Sequence, residues 1–184
     1  MEFQINKKAK NLIYGLIGAG LLLSIIGVIT GMGDAHFKTR LMTNGLINGF
    51  FFFALGLGAL FFLALAYATE TGWYASVKRV IEAVAGFIPT GIAIFAFVLL
   101  VITFMDGAHI YLWMDPETVA NDEIIQGKSV YLNKPFFWFR TLVYFAVYII
   151  FLNGFKKRSL EEDRIGGTEL HFKNYKKGAT FLVF

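Results

Sequence analysis

Two acidic or basic side chains that can exchange protons stand close together in the middle of the chain. Asp106 and His109 are three residues apart, so on a helix they would share one face. A carboxylate beside an imidazole can accept or pass on protons near neutral pH, because the surroundings shift both pKa values. The competing interpretation is that both are solvated residues at a helix end, and the spacing alone leaves both open.

Glu82 is a second carboxylate that the sequence sets apart. It follows Arg79 by three residues, which favours a surface ion pair; the alternative is the mouth of a proton path. From Glu82 to Asp106 the chain runs 24 residues, or about 36 Å of helix. Only isolated hydroxyl and amide side chains lie between them, so no complete proton path is visible.

The remaining candidates for proton or ligand chemistry are few. They are Asp34, His36, Asp115 and Arg140. The three histidines lie at the edges of apolar blocks or in charged segments, and there is no cysteine, so no membrane haem, metal site or thiolate-held cluster is assigned to this chain. Redox centres, if the protein serves electron transfer, are expected in partner subunits.

The elements that must position these groups are strongly apolar. Hydrophobic residues make up 57% of the chain and charged residues 16%, against roughly a quarter charged in soluble domains. Long uncharged blocks of this kind predict bilayer-crossing helices. The fourth block is short and needs Arg140 to extend its guanidinium outward from the first turn. The predicted spans cover residues 11–33, 45–69, 80–105 and 136–155.

Small residues and one proline indicate how the spans pack. Gly27 and Gly31, and Gly45 and Gly49, have the four-residue spacing that lets helix backbones approach closely in lipid. Pro89 predicts a kink in the third span, because it frees a backbone carbonyl one turn earlier. The expected fold is an all-α integral membrane bundle.

The basic residues orient this bundle. With the N-terminus in the cytoplasm, 12 of the 17 Lys and Arg residues are inside and 5 are outside, as the positive-inside rule requires. The basic clusters are therefore read as topology signals and not as a nucleic-acid surface. Residues 106–135 then face outward, and residues 156–178 form a cytoplasmic segment.

The outward connection carries a helix-start signal. Asp115 can cap free amides, Pro116 needs no N–H at the first turn, and Glu117 faces the positive helix end. A short helix is predicted from Pro116 to about Gln126, lying flat on the membrane surface. We interpret residues 106–135 as a structured cap on which another protein docks. The candidate docking residues are Trp113, Met114, Asp115, Pro116 and Glu117.

The last residues turn apolar again after the charged segment. Residues 179–184 look like the opening turn of a fifth span. The chain is therefore expected to be the N-terminal part of a larger helical domain.

Three motifs carry a resemblance to a known family. They are WMDPE (113–117), QGKSVYLNKPFF (126–137) with Arg140 after it, and, more weakly, GWYASVKRVIEAVAGFIP (72–89). In these motifs the chain resembles the NrfD-like, polysulfide-reductase-type membrane subunits of alternative complex III, the ActF-like type in particular. Alternative complex III is a bacterial quinol:cytochrome c oxidoreductase.

The resemblance implies a bundle of about ten spans in the bacterial inner membrane, of which this chain supplies the first four. It implies periplasmic partners that hold haem c and iron–sulfur clusters, a paralogous NrfD-like membrane subunit, and in some complexes a terminal oxidase. Quinol or menaquinol belongs to the complex, and the paralogue is the better placed to hold it. The loop after the first span, GDAHFKTRLMTN, lacks the long His-rich insertion of some relatives.

The expected function is therefore that of a membrane subunit in a quinol-oxidising respiratory complex. It would scaffold the periplasmic electron-transfer subunits and take part in proton conduction, with no redox centre of its own. Two alternatives stay open: a stand-alone ion or proton transporter, and a subunit that itself binds quinol.

Overall fold

A computed structural model of the chain describes residues 6–34, 36–104 and 110–183. The described residues are predominantly helical and contain no β-strand, so the all-α prediction is confirmed for them. The chain divides into two compact units, Met1–Leu41 and Met42–Phe184.

The first unit contains helix α1, Lys7–Gly31, and the start of helix α2, Phe37–Ala68. The Asn6 side chain begins α1 by accepting a hydrogen bond from the Lys8 N–H at 3.1 Å. No residue of α1 is buried, because its leucine, isoleucine and valine side chains point outward all round. Its apolar surface is left for lipid or another protein to cover.

The second unit contains the rest of α2 and all later elements. A 3-10 helix, Gly72–Ser76, follows α2 and leads into helices α3, Lys78–Ala85, and α4, Ile88–Phe104. The unit continues with a 3-10 helix, Leu112–Met114, and helices α5, Pro116–Asn121, and α6, Glu123–Gly127. It ends with helices α7, Lys134–Ile165, and α8, Glu169–Val183.

The break between α3 and α4 lies where Pro89 is expected to disturb a helix. Proline has no N–H to donate to the carbonyl of Ala85, and α3 ends at that residue. The Gly86 N–H still donates to the Glu82 carbonyl at 2.9 Å, and the Gly91 N–H resumes the pattern by donating to the Phe87 carbonyl at 2.9 Å. The third apolar segment is therefore a helix interrupted by a single turn.

Glycines bring α2 and α4 close together. A Cβ on Gly56 would lie 3.0 Å from the Ile88 side chain, and one on Gly91 would lie 3.1 Å from the Phe53 Cα. Gly45 and Gly49 also face α4, at ordinary van der Waals distance from valine and phenylalanine side chains. Gly45 and Gly49 therefore face another helix as predicted, and Gly56 and Gly91 bring the backbones closer still. The packing also predicted at Gly27 is not found among the described residues, since a Cβ there would meet no atom within 4 Å.

Aromatic and aliphatic side chains fill the core of the second unit. Phe53 stacks on Phe95 with ring centroids 5.7 Å apart, and Tyr67 stacks on Phe155 at 5.6 Å. The fully buried side chains of the described residues also include Leu60, Leu63 and Ile88. These contacts join α2, α4 and α7 into one packed body.

Four of the described helices are long and apolar enough to cross a membrane. They are Lys7–Gly31, Phe37–Ala68, Lys78–Phe104 and Lys134–Ile165. Each contains most of one predicted span. α7 continues ten residues past its apolar block, because residues 156–165 contain no glycine or proline; the helix ends at Gly166, whose φ is +69°.

Candidate functional site

Asp34 and His36 lie in the first unit, where Asp34 organises the turn before α2. One carboxylate oxygen of Asp34 accepts a hydrogen bond from the His36 N–H at 2.8 Å. The other oxygen pairs with the Arg40 guanidinium at 2.9 Å. The contacts of Asp34 are thus those of a turn-stabilising residue.

The predicted proton pair, Asp106 and His109, lies outside the described residues. Its helical spacing and its chemistry therefore stay predictions. The described chain resumes at Ile110.

Asp115 acts as the helix cap that the sequence predicts. Its carboxylate accepts hydrogen bonds from the Thr118 N–H at 3.3 Å and from the Thr118 hydroxyl at 2.5 Å. The helix it starts is shorter than predicted, since α5 ends at Asn121 and a second helix begins after Asp122. The Asp122 side chain accepts hydrogen bonds from the N–H groups of Ile124 and Ile125, at 2.8 and 3.1 Å. One predicted helix is therefore two, because Asp122 serves as a second cap.

Arg140 fixes the C-terminal end of the predicted cap, residues 106–135, of which the structure describes residues 110–135. Its guanidinium lies 3.7 Å from the centroid of the Tyr131 ring and 4.8 Å from that of Phe136. It also donates a hydrogen bond to the Tyr131 carbonyl at 3.4 Å. A cation held over aromatic faces is well stabilised, so Arg140 ties the cap to the first turns of α7.

Aromatic rings hold the other end of the cap. Trp113 lies 5.5 Å from Phe137 and 5.9 Å from Tyr111, measured between ring centroids. Burial raises the pKa of the Tyr111 phenol above its ordinary value, so this group stays neutral and donates a proton only at high pH. Of the predicted docking residues, Pro116 and Glu117 are exposed, whereas Trp113, Met114 and Asp115 are partly buried.

A narrow cleft of about 240 Å³ lies between Tyr111 and helices α2, α4 and α7. Seven of its nine lining residues are aromatic, among them Phe53, Phe95 and Phe137. The hydroxyl-bearing residues of the lining are Tyr111, Thr141, Tyr144 and Tyr148, and the surface of the cleft is mostly apolar. Such a cleft suits a flat ring that carries a few polar substituents.

Glu82 lies in a different part of the second unit and is more buried than predicted. Only 6% of its surface is exposed, so the prediction of a surface ion pair is right about the partner and wrong about the exposure. The Arg79 guanidinium pairs with Glu82 and also with Asp163 of α7. It donates further hydrogen bonds to the Ser159 hydroxyl and carbonyl, at 3.2 and 3.4 Å. Helix α7 supplies Ser159 and Asp163, so Arg79 links Glu82 on α3 to α7.

A second ion pair extends this group of charges. The Lys78 ammonium pairs with Glu162 at 3.1 Å, and the other oxygen of Glu162 lies 3.9 Å from Nδ1 of His171 on α8. We call these residues the polar cluster: Lys78, Arg79, Glu82, Ser159, Glu162, Asp163 and His171. Beside it, burial and the neighbouring Tyr67 phenol raise the pKa of Tyr74 far above its ordinary value, which keeps Tyr74 neutral. The polar cluster joins α3, α7 and α8.

The α7 and α8 members of the polar cluster are not among the candidate residues that the sequence indicates. A signal existed, because Ser159, Glu162 and Asp163 have the spacing of one helical face. These residues lie in the charged segment that follows the fourth predicted span, and the sequence does not show that α7 continues into it as a helix. Their partners on α3 are some 80 residues away along the chain, which local spacing does not reveal.

No group of three or more metal-ligating side chains is found within residues 6–34, 36–104 and 110–183. No protein-family model matches the chain, and no curated protein matches it. The geometry on its own thus offers three features that bear on function: the cap, the aromatic cleft and the polar cluster.

Proposed function

We propose that this chain is a membrane-embedded subunit of a bacterial respiratory quinol:acceptor oxidoreductase complex, and that its cap scaffolds the electron-transfer subunits. The observation that carries the proposal is that large apolar side chains on the cap are exposed, Ile124 and Val130 the most, at 69% and 88%. Exposed aliphatic side chains on an otherwise anchored surface are typical of protein docking sites.

The cap is suited to docking because it is held in place. Ring contacts of Trp113 with Phe137 fix one end, and Arg140 over Tyr131 fixes the other. A surface that is ordered before a partner arrives loses less conformational entropy on binding. Together with the sequence resemblance, this anchoring favours a scaffold over a free loop.

The charge around these apolar residues favours a basic partner. Residues 115–127 carry four carboxylates, from Asp115, Glu117, Asp122 and Glu123, and no basic side chain. Complementary charge speeds encounter and selects partners more than it adds affinity. The partners proposed are periplasmic subunits that carry haem c and iron–sulfur clusters, with a paralogous membrane subunit beside this one.

Co-purification tests the scaffold proposal. The full-length protein, isolated in mild detergent from its native membrane, is expected to carry haem-containing partners, and Ile124→Asp is expected to release them. Ile165→Asp is the matched control, because Ile165 is similarly exposed, at 62%, on the far end of α7. Recovery of the wild-type protein without haem-containing partners would refute the proposal and favour the stand-alone transporter.

The remaining parts of the proposal concern topology and protons. The N-terminus is proposed to lie in the cytoplasm of the bacterial cell, with the cap in the periplasm and the polar cluster near the cytoplasmic face. Glu82 is the candidate for proton uptake there, although its pairing with Arg79 favours a structural role. A Glu82→Gln variant with normal quinol turnover but lost proton coupling would support uptake through Glu82.

A second candidate function is quinol binding by this subunit, and the aromatic cleft favours it. Phe53, Phe137 and Tyr111 all line the cleft, so a flat headgroup bound there would lie among aromatic rings and phenol-bearing side chains. A photoreactive quinone analogue is expected to label residues of the cleft in the intact complex. In the same test, quinol turnover that persists unchanged in both Asp106→Asn and His109→Ala would remove direct quinol chemistry by the predicted proton pair.

A further inference from the structure

Helix α8 lies against α2 and α7 along one well-defined face. Asn174, Gly178 and Phe181 form this buried face, at spacings of four and three residues. The Asn174 amide oxygen accepts a hydrogen bond from the Arg158 guanidinium at 2.5 Å, and the Phe181 ring lies 5.1 Å from that of Phe151. The rotation of α8 about its axis is thereby fixed.

The closest contact of α8 sets its depth relative to the apolar helices. A Cβ on Gly178 would lie 2.6 Å from the Ala64 carbonyl oxygen and 3.3 Å from the Ala68 nitrogen, at the last turn of α2. That turn is the end of a helix long and apolar enough to cross a membrane. Residues just before Gly178 therefore lie level with the edge of the apolar layer.

Three lysines occupy the exposed side of α8 at this level. Lys173, Lys176 and Lys177 have spacings of three and four residues, so they share one flank of the helix. At a rise of about 1.5 Å per residue, they lie within about 8 Å of Gly178 along the axis. All three are exposed, and none has an ion pair with the described part of the chain.

Exposed aromatic rings accompany these lysines. Phe172 and Tyr175 are about half and one third exposed, and Phe172, four residues before Lys176, borders the lysine flank of α8. Aromatic rings next to lysines at the edge of an apolar layer are typical of surfaces that contact lipid headgroups. Lys78 differs from these three lysines, because it pairs with Glu162 and its side chain is largely buried.

We propose that Lys173, Lys176 and Lys177 form a site for the phosphate of an anionic phospholipid headgroup. Their charge is complementary to that of the phosphate: these cations stand at headgroup level, with the Phe172 ring beside them to contact the upper acyl chain. The proposal rests on the membrane insertion contained in the proposed function, and it adds a specific lipid ligand to it. It does not depend on what docks on the cap.

Lipid titration followed by native mass spectrometry tests this site on the full-length protein. Phosphatidylglycerol is expected to bind the wild-type protein more tightly than phosphatidylcholine does. The triple variant K173Q/K176Q/K177Q is expected to bind phosphatidylglycerol on the order of 100-fold more weakly, since each lysine near an anionic surface contributes about fivefold. K173R/K176R/K177R, which keeps the charges, is expected to bind as the wild type does.

The matched control is K7Q/K8Q/K10Q, which removes the same charge from the exposed start of α1. If both glutamine variants lose the same affinity for phosphatidylglycerol, the effect is one of net charge and the site is wrong. The site is also wrong if neither variant loses affinity. Inorganic phosphate that binds as tightly as the lipid would also overturn it. If the triple variant does not fold, K176Q alone is judged by the same comparison.

A separate measurement distinguishes failure of the proposed lysine site from failure of the proposed function. Carbonate extraction reports whether the protein is inserted in the membrane at all. A protein that is inserted and lacks lipid preference contradicts only the lysine site. A protein that carbonate releases contradicts the membrane role on which the site rests.

Discussion

Replacing Gly178 by alanine is a sharp test of how α8 is held. The added methyl would lie 2.6 Å from the Ala64 carbonyl oxygen and 3.3 Å from the Tyr67 Cβ. The nearest atom belongs to a helix backbone, so it cannot move aside as the tip of a flexible side chain would. Helix α8 must shift away from α2, at a cost of roughly 1–3 kcal/mol typical of overpacked cores.

The size of the effect can be followed by thermal unfolding. For a chain of this length, 1 kcal/mol corresponds to about 2–4 °C in Tm, so Gly178→Ala is expected to lower Tm by roughly 5 °C. Intrinsic fluorescence or circular dichroism of the detergent-solubilised full-length protein measures the shift. The Asn174 contact with Arg158 would be loosened by the same displacement.

Gly58→Ala is the matched control for this measurement. Gly58 lies within α2, and a Cβ there would meet no atom within 4 Å. Alanine favours a helix over glycine by up to about 1 kcal/mol, so the control is expected to keep or raise Tm. If Gly178→Ala is as stable as Gly58→Ala, the close contact of α8 with α2 is wrong.

Three further predictions concern topology, the polar cluster and the cap. Because the chain has no cysteine, single cysteines at Val130 and Ile165 can be compared: an impermeant maleimide added to intact cells should label the first and miss the second, and the reverse pattern would invert the proposed topology. Arg79→Gln should destabilise the protein by roughly 1–3 kcal/mol, since it leaves Glu82 buried without its cation, and adding Glu82→Gln should restore part of the loss in a double-mutant cycle. Asp115→Asn, which keeps a capping oxygen, should leave the free energy of unfolding unchanged, while Asp115→Ala should lower it by about 1 kcal/mol. If thermal unfolding shows the same loss of stability in both variants, Asp115 does not stabilise α5 as its N-cap.

Local chemistry made part of this structure predictable. Uncharged blocks of sufficient length indicated the four long helices, because an apolar segment satisfies its backbone hydrogen bonds most simply within a helix. The Asp115 cap followed from three adjacent residues, and the interruption near Pro89 followed from the missing N–H. Each of these features depends on neighbours within about one turn.

Features that depend on distant parts of the chain were not predictable in this way. The packing of α7 brings Ser159 and Asp163 beside Arg79, the partner of Glu82, and no spacing in the sequence encodes this arrangement. The second cap at Asp122 was missed because the pattern from Pro116 to Gln126 fits one helix as well as two. The cleft beneath Tyr111 likewise arises only when three helices meet.

The length of α7 has a mechanical consequence. One uninterrupted helix carries Phe137 and Arg140 near its start and Ser159 and Glu162 near its end. These two groups are separated by about 33 Å along a rod with no flexible joint. A tilt of five degrees about the middle of the helix would displace each end by roughly 2 Å in opposite directions. A protein that docked at one end and tilted the helix would therefore displace the other end directly, without a chain of side-chain rearrangements between them.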